Sequence, residues 1–252
     1  MRLALVQHDI VWEDPAANAT HLAPMIARAA GDGARLVVLS EMCTTGFSMA
    51  TDRIAEAPDG PSTRFLAEQA AAHGVFVCGS LPIRVDAARL PYNRLVLASP
   101  DGSVRHYDKI HPFSYAREHE RYAAGTEHVT VDVEGLRTSL FVCYDLRFAD
   151  EFWALAPETD CYVVVANWPS ARRDHWCTLL RARAIENQAY VAGVNRVGTG
   201  GKLDYSGDTM LVDPFGEVVA AAGDTETVLV ADAAPERVAA VRASFPFLQD
   251  RR

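Results

Sequence analysis

An acid and a thiol each lie directly past a predicted strand, and an amine lies shortly after a third, in three separate parts of the sequence. They are Glu41, Lys109 and Cys143. Polar side chains at strand ends are well placed to form a site, because the ligands of α/β sheets collect there. If the three strands lie side by side, the three groups converge. Together they are the groups that acyl transfer from an amide requires.

Taken singly, the cysteine is better explained by inert packing, the acid by capping or surface exposure and the amine by a solvated turn. If the three groups meet, their chemistry predicts a covalent two-step hydrolysis. A thiolate attacks far better than a thiol, so Glu41 is expected to take the proton of Cys143 and later to deliver it to departing ammonia. Lys109 is expected to stabilise the negative charge of the tetrahedral intermediate. Water then attacks the thioester, with Glu41 as base again. The expected products are a carboxylic acid and ammonia, and the reaction needs no metal and no organic cofactor.

Two short patterns could be mistaken for cofactor sites. Glu118-His119-Glu120 departs from the H-E-x-x-H pattern of zinc enzymes, and Gly198-Thr199-Gly200-Gly201-Lys202 lacks both the spacing and the hydroxyl residue of a phosphate-binding loop. Because glycine clusters mark turns, we interpret the second stretch as a flexible loop.

The charge balance limits the class of partner. The chain has 252 residues, of which 49% are hydrophobic, and its formal net charge is −9. A nucleic-acid partner is not expected, because it requires a basic footprint. A small anionic substrate remains compatible with this charge, since it needs only a few local cations.

The cysteines and the apolar runs predict the compartment. The five cysteines are odd in number, and no pair has the C-x-x-C spacing, so neither a disulfide framework nor a zinc ribbon is expected. The N-terminal stretch becomes polar too early for a signal peptide, and no run reaches the length of a membrane span. We therefore expect a cytoplasmic protein with no membrane partner.

Short β-branched runs alternate with alanine-rich segments along the chain, which favours a single α/β domain of mixed sheets and flanking helices over residues 1–252. A short tail is expected at about 245–252. Asp14 and Asp174 are the predicted N-caps of two helices. The predicted strands are 2–8, 35–40, 75–81, 93–98, 103–107, 136–142, 161–166, 189–197, 209–213, 218–222 and 227–232. The predicted helices are 15–30, 62–73, 148–156, 174–188 and 235–243.

Three blocks around the candidate residues resemble the catalytic blocks of the nitrilase superfamily of carbon–nitrogen hydrolases. The blocks are Leu39-Ser40-Glu41-Met42 with Thr45-Gly46-Phe47, Tyr107-Asp108-Lys109-Ile110-His111, and Cys143-Tyr144-Asp145-Leu146-Arg147-Phe148. The resemblance covers essentially the whole chain. It implies an α-β-β-α sandwich with two mixed β-sheets flanked by helices.

The resemblance also implies residue roles. Glu41, Lys109 and Cys143 match the family's catalytic triad, and the backbone N–H of Tyr144 matches its second oxyanion donor. Glu118 matches the family's second glutamate, although the neighbouring Glu120 competes for that assignment.

Further blocks resemble the ω-amidase-like branch, which acts on ω-amides of 2-oxo acids such as 2-oxoglutaramate. These blocks are Ala166-Asn167-Trp168-Pro169, His175-Trp176 and Arg181-Ala182-Arg183-Ala184-Ile185-Glu186-Asn187-Gln188. The same chemistry on deaminated glutathione, a nitrile or an N-carbamoyl amino acid is the alternative substrate hypothesis. A catalytically silent binding or scaffold protein is the alternative of another class, and retention of the full triad argues against it.

Candidates to line the substrate pocket lie near the predicted catalytic residues or strand ends. They are Phe47, Phe113, Trp168, Arg172 and His175. Arg172 or Arg173 could pair with a substrate carboxylate. The competing interpretations are core packing for the aromatic residues, a solvated loop for the arginines and helix capping for His175. Asp145 and Arg147 are expected to be structural and to fix the turn that presents Cys143.

A homodimer is expected, mainly because members of this family usually associate through a helix-covered face. The apolar tail Phe245-Pro246-Phe247-Leu248 is compatible with such an interface, and packing on its own domain explains it equally well.

Overall fold

In residues 1–87 and 89–251, which the computed structural model describes, the chain forms fourteen strands and six α-helices. The strands are β1 (Arg2–Gln7), β2 (Leu36–Val38), β3 (Phe76–Ile83), β4 (Tyr92–Ala98), β5 (Val104–Asp108), β6 (Thr130–Val133), β7 (Leu136–Val142), β8 (Cys161–Ala166), β9 (Tyr190–Asn195), β10 (Val197–Gly200), β11 (Leu203–Ser206), β12 (Met210–Val212), β13 (Val218–Ala221) and β14 (Thr227–Asp232). The helices are α1 (Pro15–Gly31), α2 (Thr51–Ile54), α3 (Pro61–His73), α4 (Ala149–Leu155), α5 (Arg173–Asn187) and α6 (Pro235–Ser244).

Two mixed sheets of six strands carry the fold. The first has the strand order β14-β1-β2-β3-β4-β5, in which β2 is parallel to both of its neighbours and the other pairs are antiparallel. The second has the order β13-β12-β9-β8-β7-β6, in which β8 is parallel to both of its neighbours. Strands β10 and β11 form a separate antiparallel hairpin.

The pleat of β1 shows how the layers arise. Leu3 and Leu5 pack into the core that the two sheets share, whereas Ala4 and Val6 pack into a second core with residues of α1 and α3. Successive strand residues point to opposite faces, so one strand supplies both cores. On the far side of the second sheet, Leu180 of α5 lies against Gly193 of β9. The architecture is therefore the α-β-β-α sandwich that the sequence resemblance implied.

Local signals explain where the helices begin and end. The Asp14 carboxylate accepts a 3.0 Å hydrogen bond from the N–H of Ala17, which confirms the predicted cap of α1. Helix α3 ends at Gly74, whose φ of 64° lies in the left-handed region that glycine adopts without strain. The predicted cap at Asp174 is wrong. Helix α5 begins at Arg173, and Asp174 lies within its first turn. An acid there still interacts favourably with the helix dipole.

The predicted flexible loop at 198–202 is also wrong, because most of it belongs to the β10–β11 hairpin. Val197 pairs with Ser206 and Gly200 with Leu203. Gly198 and Gly201 have positive φ values of 80° and 55°, so the glycines permit the bends of a hairpin.

The segment after α6 is held by a hydrogen bond between a side-chain amide and its backbone. The carbonyl of Phe245 accepts a 2.7 Å hydrogen bond from Gln188 Nε2, and a short 3-10 turn follows at Phe247–Asp250. Within residues 1–87 and 89–251, no helix combines the length and the apolarity needed to cross a membrane.

Candidate active site

Ends of strands from both sheets form the site. Glu41 lies past β2 and Lys109 directly follows β5, both in the first sheet, whereas Cys143 directly follows β7 in the second. The three strands do not lie side by side, because β3 and β4 separate β2 from β5 and β7 belongs to the other sheet. The three residues instead approach one another through the packing of one sheet on the other.

The turn at Cys143 holds the residue in an unusual backbone conformation. Its φ is 47°, in the left-handed region that residues other than glycine rarely adopt. Such strain persists only where the surroundings over-determine it, and it is concentrated at functional sites. A turn of 3-10 helix, Cys143–Arg147, begins there, so the chain changes direction sharply at the thiol.

Asp145 fixes this turn, as the sequence predicted. Its buried carboxylate accepts hydrogen bonds from the N–H of Val142 at 3.0 Å, the N–H of His111 at 2.9 Å and the hydroxyl of Tyr107 at 2.8 Å. Burial raises the pKa of Asp145 to about 6, and Lys109 acts in the opposite direction. The carboxylate therefore joins the cysteine turn to the segment that carries the lysine.

Lys109 lies between two buried carboxylates. Its ammonium nitrogen is 3.2 Å from Glu41 Oε1 and 2.9 Å from Glu118 Oε2, and all three side chains are buried. Burial alone lowers the pKa of Lys109, but the charges of Glu118 and Glu41 outweigh it and raise that pKa above its usual range. The amine is therefore a permanent cation. The ring of Phe47 lies 5.3 Å from it and adds a cation–π contact.

Glu118, rather than Glu120, lies against the lysine. Besides contacting Lys109, the Glu118 carboxylate accepts a 2.5 Å hydrogen bond from the N–H of Phe113. Glu120 is exposed and pairs with Arg117 at 2.7 Å. The sequence left open which of the two is the second glutamate, and the geometry places Glu118 beside Lys109.

The Glu41 carboxylate is also held from the second sheet. Its Oε2 accepts a 2.7 Å hydrogen bond from the N–H of Asn167, and the Asn167 side-chain amide donates a 2.5 Å bond to the carbonyl of Glu41. The next residue, Met42, has a positive φ of 42°. The carboxylate and the backbone carbonyl of Glu41 are therefore both restrained, which fixes the direction of the carboxylate.

The thiol of Cys143 keeps its proton in the resting site. Desolvation and then the charge of Glu41 raise the pKa of the Cys143 thiol well above its usual range, while Lys109 acts to lower it. Because a thiolate is a far better nucleophile than a thiol, a base beside this sulfur would be required for it to attack a substrate. Glu41 is the carboxylate that most strongly affects that proton.

Cys143 and Lys109 line one cavity together with most of the predicted pocket residues. Phe47, Phe113, Trp168 and Arg172 all contribute to its wall, as does Tyr144. His175 does not. Its ring is exposed and lies 3.1 Å from the guanidinium of Arg147.

Two guanidinium groups of this wall lie against aromatic rings. Arg172 is 5.5 Å from the ring centre of Phe113, and Arg147 is 4.8 Å from that of Trp168. Within the described part of the chain, neither arginine forms an ion pair with a carboxylate. Arg173, the alternative in the sequence, is paired with Asp208 at 2.7 Å.

Sequence reasoning missed several residues that the fold brings to the cavity. They are Trp12, Met49, Arg147, Asn167, Leu203 and Tyr205. Asn167 follows a buried strand directly, and this position was a usable signal. The residues of the β10–β11 hairpin carried no such signal, because their glycine-rich sequence resembles an unstructured loop.

Comparisons with known proteins identify the family of the chain. The sequence profile of the carbon–nitrogen hydrolase family matches residues 2–243. Omega-amidase YafV of Escherichia coli (strain K12) is 37% identical over 253 residues, which cover 99% of this chain and 96% of that protein. The 2-oxoglutaramate amidase of Bacillus subtilis (strain 168) is 32% identical over 256 residues, which cover 99% of this chain and 97% of that protein.

Solved structures give the same result. XC1258 from Xanthomonas campestris, a CN-hydrolase superfamily protein with an arsenic adduct in its active site, superposes with a TM-score of 0.94 at 41% identity and covers 100% of this chain and 97% of its own. Nit3 of Saccharomyces cerevisiae, a member of branch 10 of the nitrilase superfamily, gives a TM-score of 0.91 at 26% identity. The match covers 100% of this chain and 96% of Nit3. The resemblance in the sequence is thereby confirmed, and the chain belongs to the carbon–nitrogen hydrolase family of the nitrilase superfamily.

Proposed function

We propose that this enzyme hydrolyses the terminal amide of a small 2-oxo acid, such as 2-oxoglutaramate, to a carboxylic acid and ammonia. The observation that carries the proposal is the ammonium of Lys109, held between Glu41 and Glu118 in the cavity that Cys143 lines. The similarity to an omega-amidase and to a 2-oxoglutaramate amidase over nearly the whole chain supports the choice of substrate.

Acylation begins with proton transfer from the Cys143 thiol to Glu41. The sulfur bonds to the amide carbon, and the carbonyl π electrons move to oxygen, which gives a tetrahedral oxyanion. Collapse of that oxyanion breaks the C–N bond. Glu41 returns the proton to the departing nitrogen, so ammonia leaves and a thioester remains on Cys143. The raised thiol pKa supports this order, because it keeps the proton on sulfur until the base takes it.

Two donors stabilise the oxyanion in this mechanism. One is the ammonium of Lys109, and the other is the backbone N–H of Tyr144, the residue after the nucleophile. The Lys109 cation is buried, so its field is weakly screened by water. Loss of one such donor typically reduces kcat by ~10²–10³-fold.

Deacylation uses the same groups in reverse. Glu41 removes a proton from water, the oxygen attacks the thioester carbon, and the C–S bond breaks with return of the proton to sulfur. The acid is released and the free Cys143 thiol is restored. Glu118 holds Lys109 in place through both steps, and the 2.9 Å contact between them supports that role.

The distal carboxylate of the substrate pairs with Arg172. Its guanidinium lies in the cavity wall without an acidic partner among the described residues, and a planar guanidinium binds a carboxylate through two parallel hydrogen bonds. Phe47, Phe113 and Trp168 pack against the carbon chain. His175 has a lesser role, which is to support Arg147 from outside the cavity.

A substrate panel assayed for ammonia release tests this function. The expected order of kcat/KM places 2-oxoglutaramate above glutamine, an unsubstituted aliphatic amide, a nitrile and an N-carbamoyl amino acid. Preference for the nitrile or the carbamoyl compound would reject the ω-amide assignment, even if Cys143 proved to be the nucleophile.

We also propose a homodimer and a cytoplasmic location. The turn at Phe215 and Gly216 lies against Ile185 of α5, and the side chains of Phe215 and Ile185 are both exposed. Such a patch favours an interface on the helix-covered face. The five free cysteines are compatible with a reducing compartment. Light scattering at micromolar concentration is expected to give the dimer mass, and Ile185→Asp is expected to give the monomer. A wild-type monomer would reject the dimer.

A further inference from the structure

We propose that Asn93 is a positioning residue that holds Glu41 and Glu118 in place by sharing one side-chain amide between them. This inference rests on the proposed function. Asn93 lies on β4 and is 1% exposed. Its Nδ2 donates to Glu41 Oε1 at 2.8 Å and to Glu118 Oε1 at 3.1 Å.

A chain of hydrogen bonds fixes which way this amide faces. The N–H of Met42 donates to Ser80 Oγ at 2.8 Å, so the hydroxyl proton of Ser80 is free to point elsewhere. It points to Asn93 Oδ1, which accepts at 2.8 Å. With its oxygen engaged by a donor, the amide must present its NH₂ group to the two carboxylates. The orientation is thus set by partners on both sides of Asn93.

The charges in this pocket explain why such a residue is needed. Two carboxylates and one ammonium are buried together, so Lys109 alone does not neutralise both acids. A neutral N–H donor stabilises the ionised form of an acid without adding charge. Each N–H of Asn93 meets one of the two acids. A second cation in the same place would compete with Lys109 for the two carboxylates.

Asn93 also positions Lys109 through the backbone. Its carbonyl accepts a 3.0 Å hydrogen bond from the N–H of Lys109. One residue therefore contacts the base, the second acid and the backbone of the lysine. A substitution of Asn93 that keeps the fold but removes the N–H donors is therefore expected to lower kcat much more than it changes KM.

The test is Asn93→Leu, which keeps the branched shape of the side chain and removes both donors. Without them, the carboxylate pair takes up a proton more readily. The expected results are a fall in kcat of about 10²-fold, within the range for damaged general acid–base catalysis, little change in KM, and an acidic limb of the kcat/KM profile that moves to higher pH.

Asn18→Leu is the matched control. Asn18 is also fully buried, and its amide donates to the carbonyls of Val11, Asp14 and Thr44, with no contact to either glutamate. This variant is expected to melt at a lower temperature than the wild type while keeping its pH profile. An acidic limb displaced equally in both variants would show a general effect of lost packing and would overturn the proposal.

Ser80→Ala keeps the inference testable if Asn93→Leu does not fold. It removes the hydroxyl that orients the amide but leaves the N–H donors, so a smaller displacement of the acidic limb in the same direction is expected. Unchanged profiles in every variant that folds would overturn the proposal.

Alkylation of Cys143 by iodoacetamide separates this inference from the proposed function. The reaction needs the thiol and its base but no natural substrate. If wild-type enzyme fails to hydrolyse 2-oxoglutaramate, the substrate assignment fails. A pH profile of alkylation that still differs between Asn93→Leu and wild type would support the role of Asn93, and identical profiles would reject it.

Discussion

The hydroxyl of Tyr107 donates a 2.8 Å hydrogen bond to the buried carboxylate of Asp145. Tyr107 is on β5 of the first sheet, two residues before Lys109, and Asp145 is in the turn that begins at Cys143 in the second sheet. This contact joins the strand that leads to Lys109 to the turn that begins at Cys143. The relative position of lysine and sulfur therefore depends on a pair of residues that does not touch substrate.

The first prediction concerns this link. Tyr107→Phe removes one of the three donors to Asp145 and is expected to lower the free energy of unfolding by about 1–3 kcal/mol, the usual effect of breaking a buried hydrogen bond. Because the turn at Cys143 loses a restraint, kcat should fall while KM changes little. Denaturant titration and steady-state kinetics measure the two effects.

Tyr162→Phe is the control for that variant. Tyr162 is also buried, and its hydroxyl donates a 2.8 Å hydrogen bond to the carbonyl of Phe152, away from the catalytic residues. It should lose similar stability and keep its kcat. Equal losses of kcat in the two variants would contradict a specific role for Tyr107.

The second prediction concerns the buried cation. Lys109→Met should reduce kcat by at least ~10²-fold, because it removes one oxyanion donor. Lys109 also acts to lower the pKa of Cys143, so its loss should raise that pKa further. Iodoacetamide should then alkylate Cys143 more slowly at pH 8 than in the wild type. Faster alkylation would contradict the assigned electrostatics.

The third prediction concerns the carboxylate of the substrate. Arg172→Gln should raise KM for 2-oxoglutaramate by roughly 10–100-fold, the equivalent of one charge-assisted hydrogen bond, and leave KM for an uncharged aliphatic amide nearly unchanged.

Arg173→Gln is the neighbouring comparison for that variant. Arg173 is paired with Asp208, and its side chain is 56% exposed, so little change in KM is expected. A larger effect on KM at Arg173 than at Arg172 would reverse the assignment.

The fourth prediction is a pH dependence of stability. His8 is fully buried, and burial lowers its pKa from 6.5 to about 4. Between these values the unfolded chain binds a proton that the folded chain does not. The contribution of His8 to the free energy of unfolding therefore falls as the pH falls through this window, by up to about 3 kcal/mol, whereas the raised pKa of Asp145 contributes in the opposite direction.

His8→Gln should remove the contribution of His8. Between pH 7 and 4 its free energy of unfolding should therefore fall less than that of the wild type, as measured by urea titration at several pH values. An exposed histidine, His73, provides the comparison, and His73→Gln should keep the wild-type slope. A slope that is the same in His8→Gln and wild type would show that His8 is not the titrating group.

The positions of Glu41 and Cys143 could be picked out from the sequence because each lies at the end of an apolar run. Lys109 follows the mostly polar strand β5 and stands out only because its block resembles one of the family's. Strands β7 and β8 were predictable because both are largely buried, and β8 is also rich in β-branched residues. Their pairing was not predictable. The local sequence does not say which strand ends face each other, and Cys143 reaches Glu41 and Lys109 only because the two sheets stack.

The supporting polar residues were harder to predict. Asn93 lies inside a strand, where an asparagine has no local signature, and its role depends on carboxylates at sequence separations of 52 and 25 residues. Arg147 was expected to be structural, but its guanidinium packs on Trp168 at the cavity wall. Side-chain direction of this kind is decided by tertiary packing and not by neighbours in the chain.

Acid-quenched mass spectrometry during turnover of 2-oxoglutaramate tests the central claim most directly. The substrate acyl group should appear on the peptide that contains Cys143, as a gain equal to the mass of the substrate less that of ammonia. Cys143→Ala should show neither the adduct nor ammonia release, whereas Cys177→Ala, which alters a partly buried thiol of α5, should show both. Full amidase activity in Cys143→Ala, or an adduct on any other residue of the active wild type, would contradict the account.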